Sequence, residues 1–185
     1  IDVLDRQSTR LKKLIDDLLE ASKASSGVLN VIPAPCEVGV LLEQVQGEYA
    51  ERLHAHDLNL IVQTPDKTLT VLADGRHLGR IFDNLMNNII KYAQPGTRVY
   101  LDARAGLDPA APGGSRPVAV ITFRNVSAEP LNIPAEELLE RFVRGDASRH
   151  TEGSGLGLAI VQSLTELQGG SLQLAIDGDL FKVRL

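Results

Sequence analysis

Apolar residues recur every seven positions at the start of the chain. They are Leu4, Leu11 and Leu18, with Leu14 and Ala21 at the companion positions. Charged residues occupy the other faces, so the pattern predicts an amphipathic coiled-coil helix that ends near residues 25–27. Such a short helix is unstable alone. Its spacing and terminal position favour a partner helix outside the chain over packing on its own domain.

Residues 27–185 alternate between strand-like and helix-like patterns. We expect strands at 28–32, 58–62, 69–72, 98–103, 118–123, 172–175 and 181–185. We expect helices at 37–54 (with Val40, Leu41, Val45, Tyr49 and Leu53 on one side), 74–92, 134–142 and 157–167, and a flexible loop at 105–117. Neighbouring strands near both ends imply hairpins, which favour a mixed α/β sheet with helices on one face over an all-parallel, doubly wound fold.

The predicted helix 74–92 has two distinct faces. Its apolar stripe consists of Leu78, Ile81, Phe82, Leu85 and Ile89, and a neighbouring face carries Asn84, Asn88 and Lys91, with Tyr92 at the edge. Asparagine is a poor helix former, and its amide oxygen suits Mg²⁺. A lysine one turn later suits a phosphate. The alternatives are a solvated face for the asparagines and plain packing for the tyrosine.

A glycine-rich stretch leads into the last predicted helix. It reads Gly153-Ser154-Gly155-Leu156-Gly157-Leu158, and Arg144 and Arg149 precede it. Glycine lets backbone N–H groups approach a ligand, and a helix start carries unsatisfied donors and a positive dipole end, which together suit phosphate. The alternative is a tight connection without a ligand. A dinucleotide-binding loop does not fit, because Leu158 stands where its third glycine belongs and no strand precedes the stretch.

Composition narrows the class of protein. The chain has 185 residues, of which 43% are hydrophobic and 23% charged, as in ordinary soluble globular proteins. Its net charge of −5 argues against a nucleic-acid-binding surface or a polybasic membrane patch. Cys36 is the only cysteine, which excludes an internal disulfide and a multi-cysteine metal site. Because no methionine precedes Met86, we expect a fragment of a longer protein.

Three segments resemble the N box, the F box and the second glycine box of bacterial sensor histidine kinases. They are residues 84–92, 140–149 and 153–158, and their order and spacing match the catalytic, ATP-binding domain of that family. The first helix resembles the second helix of the dimerisation domain that precedes this catalytic domain. The resemblance covers essentially the whole chain and implies a truncated dimerisation domain at 1–26 and a catalytic ATP-binding domain at 27–185.

The resemblance implies the two-layer α/β sandwich of the GHKL ATPase superfamily, a Bergerat-type ATP-binding fold shared with gyrase and the Hsp90 chaperones. It implies ATP and Mg²⁺ as cofactors. Asn88 would coordinate Mg²⁺, Asn84 would line the site, Lys91 would reach a phosphate and Tyr92 would lie against the nucleotide.

The resemblance also assigns the segment between the last two helices. Residues 143–152 would form the ATP lid, with Arg144 and Arg149 near the γ-phosphate. Backbone N–H groups of the glycine-rich stretch would cap the phosphates; its members are Gly153, Ser154, Gly155, Leu156 and Gly157.

The adenine end departs from the family pattern. The first glycine box of the family usually reads Asp-x-Gly-x-Gly, whereas the corresponding residues 123–130 contain no glycine. Asn125 would replace the aspartate that accepts a hydrogen bond from adenine, without charge assistance. Leu180 stands where a threonine commonly supports the same pocket.

The implied function is the catalytic part of a two-component sensor histidine kinase, an ATP-dependent enzyme in the cytoplasmic portion of a bacterial plasma-membrane sensor. Implied partners are a second copy, through the N-terminal helix, and a response-regulator receiver domain; no nucleic acid is expected. One alternative is a degenerate nucleotide-binding or interaction module without kinase activity, which Asn125 and Leu180 favour. Another is an anti-sigma-factor serine kinase, against which the heptad helix argues.

The acceptor histidine is expected upstream of this chain. His56-Asp57-Leu58 superficially matches the phosphoacceptor motif, but no proline follows and it lies after the second dimerisation helix. We therefore expect a surface turn there. His54, His77 and His150 have no companions at metal-ligand spacing.

Overall fold

The computed structural model describes residues 2–64, 68–108, 115–132, 134–139 and 155–185. The helices are α1 (Asp2–Ser25), α2 (Val38–Ala55), α3 (Gly75–Tyr92), α4 (Ala135–Leu138) and α5 (Gly157–Leu167). The strands are β1 (Ala34–Glu37), β2 (Asn59–Gln63), β3 (Thr70–Ala73), β4 (Arg98–Asp108), β5 (Arg116–Val126), β6 (Gln173–Asp177) and β7 (Leu180–Arg184).

Five strands form a mixed sheet in the order β2-β4-β5-β7-β6. β2 runs parallel to β4 and the other pairs are antiparallel. Leu101, Phe123 and Val183 lie side by side across this sheet and are buried, and the ring of Phe82 on α3 lies 5.7 Å from that of Phe123. The helices therefore cover one face of the sheet, and the predicted mixed sheet with helices on one face is confirmed.

The helical pattern located the core correctly on α3. Leu78, Ile81, Phe82, Leu85 and Ile89 are all buried, as predicted. On α2 the prediction was partly wrong, because Val40 is exposed while Leu42 is fully buried beside Val45, Tyr49 and Leu53. The Tyr49 hydroxyl donates to Asp83 Oδ1 at 2.8 Å, and burial, followed by this contact, raises the pKa of Tyr49.

The predicted strand 28–32 is wrong. This segment is irregular, with Val28 and Ile32 exposed. Its backbone groups form hydrogen bonds with side chains at the start of α3 instead of with another strand. Asp74 Oδ2 accepts from the Ile32 N–H at 2.9 Å, and His77 Nε2 contacts the Asn30 carbonyl at 3.1 Å. The first strand lies after it, as β1, which pairs with β3 in a separate two-stranded sheet.

The hairpin expected between β2 and β3 is also wrong. β3 pairs with β1, while β2 joins β4 in parallel, with β3 and α3 lying in the crossover connection that a parallel pair requires. The hairpin β6–β7 near the C-terminal end is confirmed. β4 and β5 continue into both ends of the predicted loop 105–117, and the predicted helix 134–142 is described only as α4, since 140–142 lie outside the described residues.

α1 forms as predicted but contacts the domain that follows it. Ala21 and Ala24 are buried, and the helix packs against α5. Ala21 was predicted to face a partner helix together with the heptad leucines, and this is wrong because it is buried against the chain's own domain. Leu11 and Leu18 are exposed. None of the helices in the described residues is long and apolar enough to cross a membrane.

Candidate nucleotide-binding site

The helix α3 is anchored at its first turn by Asp74. The carboxylate caps the helix by accepting from the Arg76 N–H at 3.0 Å, and the Asp74 N–H donates to Gln168 Oε1 at 2.8 Å, just after α5. The Arg76 guanidinium and the Ile32 N–H hold the pKa of Asp74 well below its usual range. Through this one residue the start of α3 is joined both to the segment before β1 and to the end of α5.

Polar side chains of α3 point in two directions. Asp83 and Asn87 contact α2, where Asn87 Oδ1 accepts from Arg52 Nη2 at 2.8 Å. Asn84 and Asn88, at i and i+4, lie beside the first residue of α5. The asparagines in this part of α3 therefore divide between a structural contact and the candidate site.

The start of α5 lies against both site asparagines. A Cβ on Gly157 would be 3.3 Å from Asn84 Oδ1 and 3.7 Å from both Oδ1 and Nδ2 of Asn88. Asn84 Nδ2 donates to the Arg80 carbonyl at 2.8 Å, which orients its amide. Two polar and glycine-rich motifs more than sixty residues apart in sequence thus meet here, and glycine at 157 is explained by this close approach.

The backbone before α5 also depends on glycine. Gly155 has φ of +70°, a left-handed conformation that other residues rarely adopt. Leu156 is fully buried, and its carbonyl accepts from the Ile160 N–H at 2.9 Å as α5 begins. Among the described residues no side chain caps this helix. Because Gly157 lies against Asn84 and Asn88, the positive dipole end of α5 faces these two asparagines.

Lys91 and Tyr92 form a pair at the end of α3. Lys91 Nζ lies 2.6 Å from the Tyr92 hydroxyl, to which it donates, and 4.5 Å from the ring centroid. Both side chains are half-buried, and Lys91 follows Asn88 by three residues. The lysine is thus held beside its aromatic neighbour, close to the site face of α3.

Asn125 and Leu180, both expected at the adenine end, lie on opposite faces of the sheet. Asn125 is 4% exposed, pairs with Phe181 across β5 and β7, and donates from Nδ2 to the Val126 carbonyl at 3.2 Å. Leu180 precedes Phe181 in the same strand and therefore points to the other face, where it is 38% exposed. The expectation that Leu180 alters the same pocket is wrong for this reason.

Several predicted site residues lie outside the described residues. They are Arg144, Arg149, Gly153 and Ser154, with the lid segment 143–152 and His150.

The surface turn predicted at His56 is confirmed. The His56 side chain is exposed, its Nδ1 contacts the Arg52 carbonyl at 2.8 Å, and Asp57 has φ of +55°.

Sequence reasoning missed an ion-pair cluster between α1 and α3. Arg80 Nη2 lies 2.7 Å from Asp17 Oδ1, and Arg80 Nε lies 2.8 Å from Glu20 Oε2. A signal was present, because Asp17 follows Leu14 by three residues and precedes Ala21 by four, which places a charge on the inward face of α1.

Comparison with known proteins identifies the family. Residues 73–185 match the family described as histidine kinase-, DNA gyrase B- and HSP90-like ATPase. The histidine-protein kinase BaeS of Escherichia coli K12 is 33% identical over 165 residues, which are 88% of this chain and 33% of BaeS. The sensor protein VanS of Enterococcus faecium is 29% identical over 88% of this chain and 40% of VanS. The chain thus spans about a third of the length of BaeS.

Solved structures share the fold. Full-length ShkA, crystallised with AMPPNP, has a TM-score of 0.74 at 24% identity over 97% of this chain and 36% of that one. ThkA in complex with the response regulator TrrA has a TM-score of 0.68 at 17% identity. The match covers 100% of this chain and 49% of the ThkA chain. The family match covers more than half of the chain and agrees with the meeting of α3 and α5. The protein therefore belongs to the histidine kinase-, DNA gyrase B- and HSP90-like ATPases, and its relatives are sensor histidine kinases of two-component systems.

Proposed function

We propose that this domain binds Mg-ATP and transfers the γ-phosphoryl group to a histidine on a dimerisation domain upstream. The observation that carries the proposal is the contact of Gly157, at the start of α5, with Asn84 and Asn88 of α3. A helix N-terminus that faces two amide side chains combines phosphate-binding N–H groups with oxygen ligands for a cation. Phosphoryl transfer depends mainly on such positioning and charge neutralisation.

The residues present fit Mg²⁺ held jointly with phosphates. The described residues contain no group of three or more His, Cys, Asp or Glu side chains able to hold a metal ion. Mg²⁺ keeps several waters and takes few protein ligands beside substrate phosphates, so one amide oxygen, from Asn88, is an appropriate protein contribution. When bound, the ion would neutralise part of the phosphate charge.

The other residues act on the nucleotide. Asn84 lines the site, Lys91 leaves the Tyr92 hydroxyl to meet a phosphate, and Tyr92 packs against the nucleotide. Backbone N–H groups of Gly155, Leu156 and Gly157 cap the phosphates, together with Gly153 and Ser154. Arg144 and Arg149 would approach the γ-phosphate from the lid.

In the transfer step, a histidine ring nitrogen attacks the γ-phosphorus. A P–N bond forms as the bond from that phosphorus to the bridging oxygen breaks, and ADP leaves with the oxygen. The phosphoryl group then passes to an aspartate of a response-regulator receiver domain.

We place the ATP-binding domain of the present chain in the cytoplasmic portion of a membrane sensor that is a homodimer through its N-terminal helix. The names of the relatives as sensor proteins, the ThkA–TrrA complex and the exposed Leu11 and Leu18 support these proposals.

Radiolabelled ATP tests the identity of the acceptor. The present chain is expected to stay unlabelled, because His56 lies in an exposed turn and no other histidine here has the acceptor context. A chain extended upstream to include the expected phosphoacceptor helix should acquire acid-labile, alkali-stable label, which is typical of phosphohistidine. Label on His56 of the present chain would contradict the assignment.

One observation favours the alternative of a nucleotide-binding module without kinase activity. Asn125 is neutral and buried, and its amide already donates to the Val126 carbonyl. An extended chain that binds Mg-ATP tightly but never labels would support this alternative.

Asn125→Asp is expected to tighten ATP binding several-fold and to widen the preference for ATP over GTP. A charge-assisted hydrogen bond exceeds a neutral one by about 1 kcal/mol. The nucleotide-free protein should melt at a lower temperature, because the new carboxylate is buried and loses the bond to Val126.

Calorimetric affinities for both nucleotides and a thermal melt would measure these effects, with Asn125→Ala as the control that removes the acceptor. Identical affinities of the three proteins for ATP and for GTP would show that Asn125 is purely structural.

A further inference from the structure

Arg80 joins α1 to α3, the helix that carries the two asparagines of the candidate site. The Arg80 guanidinium contacts Asp17 at 2.7 Å and Glu20 at 2.8 Å through different nitrogens. The Asp17 side chain is 7% exposed and that of Glu20 is 23% exposed. The Arg80 side chain is 34% exposed, so each pair has one partner largely shielded from water and one that is partly hydrated. Screening by solvent weakens such a pair less than a fully exposed one. These ion pairs are therefore specific to the docked position of α1.

Both helices of the candidate site touch α1. Arg80 lies one turn before Asn84 on α3, and its carbonyl accepts from Asn84 Nδ2 at 2.8 Å. α1 also packs against α5, and Ala21 and Ala24, one turn after Asp17 and Glu20 on the same face of α1, are buried. The first residue of α5, Gly157, in turn lies against Asn84. α1, α3 and α5 thus contact one another in turn, and Arg80 provides a polar link between α1 and α3.

We infer that Arg80 is a positioning residue for nucleotide binding. By holding α1 across α3 and α5, it sets the separation between the start of α5 and the amides of Asn84 and Asn88. A preformed site binds its ligand more tightly than one that must be ordered first. Because coupling between two binding equilibria is reciprocal, bound Mg-ATP strengthens the docking of α1. This inference rests on the proposed function.

Arg80→Ala tests the coupling in the whole chain. Its Kd for Mg-ATP should rise about fivefold, which is the lower end of typical coupling between sites. In the wild type, Mg-ATP should slow amide hydrogen exchange along α1, and in Arg80→Ala this protection should disappear. Glu20→Gln, which leaves Asp17 paired, should shift both readouts in the same direction by less, and it decides the question if Arg80→Ala does not fold.

Arg52→Ala is the matched control. It removes an arginine of α2 that contacts α3 through Asn87 and takes no part in the Asp17 and Glu20 ion pairs. A merely structural role for Arg80 would make both variants lose stability alike without changing Kd. The inference is overturned if folded Arg80→Ala binds Mg-ATP with the affinity of the wild type. It is also overturned if the rate of amide hydrogen exchange in α1 of the wild type does not change when Mg-ATP binds. Failure of the wild type to bind Mg-ATP would instead refute the proposed function itself.

Discussion

Asn88→Ala is expected to remove most of the Mg²⁺-dependent ATP binding while leaving the fold intact. Asn88 is half-buried on the site face of α3, and alanine is a better helix former, so the helix itself loses nothing. The substitution deletes the proposed protein ligand of the cation. Mutation of a residue that only hydrogen-bonds to a metal ligand lowers metal affinity by about 10–100-fold. Loss of the ligand itself should therefore raise the Kd for Mg-ATP at least about tenfold.

Titration calorimetry with ATP, in the presence and absence of Mg²⁺, measures this effect. The expected signature is a variant whose affinity no longer responds to Mg²⁺. Asn87→Ala is the control, because the neighbouring amide contacts Arg52 on α2 instead of α5. It should lose about 1 kcal/mol of stability with its hydrogen bond and retain the affinity of the wild type. Equal affinities for Asn88→Ala and wild type would exclude Asn88 as the metal ligand.

Gly157→Val is expected to weaken nucleotide binding strongly through shape alone. Its Cβ would lie 3.3 Å from Asn84 Oδ1, tighter than ordinary packing, and 3.7 Å from the Asn88 amide, and valine adds two further carbons to this contact. α5 would have to move away from α3, which separates its N–H groups from the asparagines. Overpacking of this kind also costs about 1–3 kcal/mol of stability. We expect at least a tenfold rise in the Kd for Mg-ATP in a protein that still folds.

Gly79→Ala is the matched control on α3. A Cβ at Gly79 would meet nothing within 4 Å, so this substitution should raise stability by about 1 kcal/mol, through helix propensity, without changing the affinity. Circular dichroism would verify the fold of both variants before calorimetry. Wild-type affinity in Gly157→Val would show that the close contact between α5 and α3 has no part in binding.

The candidate site could be proposed from the sequence in outline because its chemistry depends on residue types at short spacings. Asn84 and Asn88 lie one helical turn apart, and the glycines lie at a helix start, so each motif indicates its chemistry without knowledge of the rest of the chain. Leu180 shows where this reasoning fails. The face of a strand to which a residue points depends on register, and a shift of one residue reverses it.

The sequence by itself determined most of the helices and the buried face of α3. Periodicity located α2, α3 and α5 and the buried stripe of α3, because the side that an element turns inward is a local property of its own spacing. The tertiary structure alone decided which distant elements meet. β2 joins β4 instead of β3, Asn87 contacts α2 while Asn88 contacts α5, and Asp17 of α1 pairs with Arg80 of α3. Such choices depend on contacts between residues far apart in the chain, where many partners satisfy the same local pattern and only the packing of the whole core selects one.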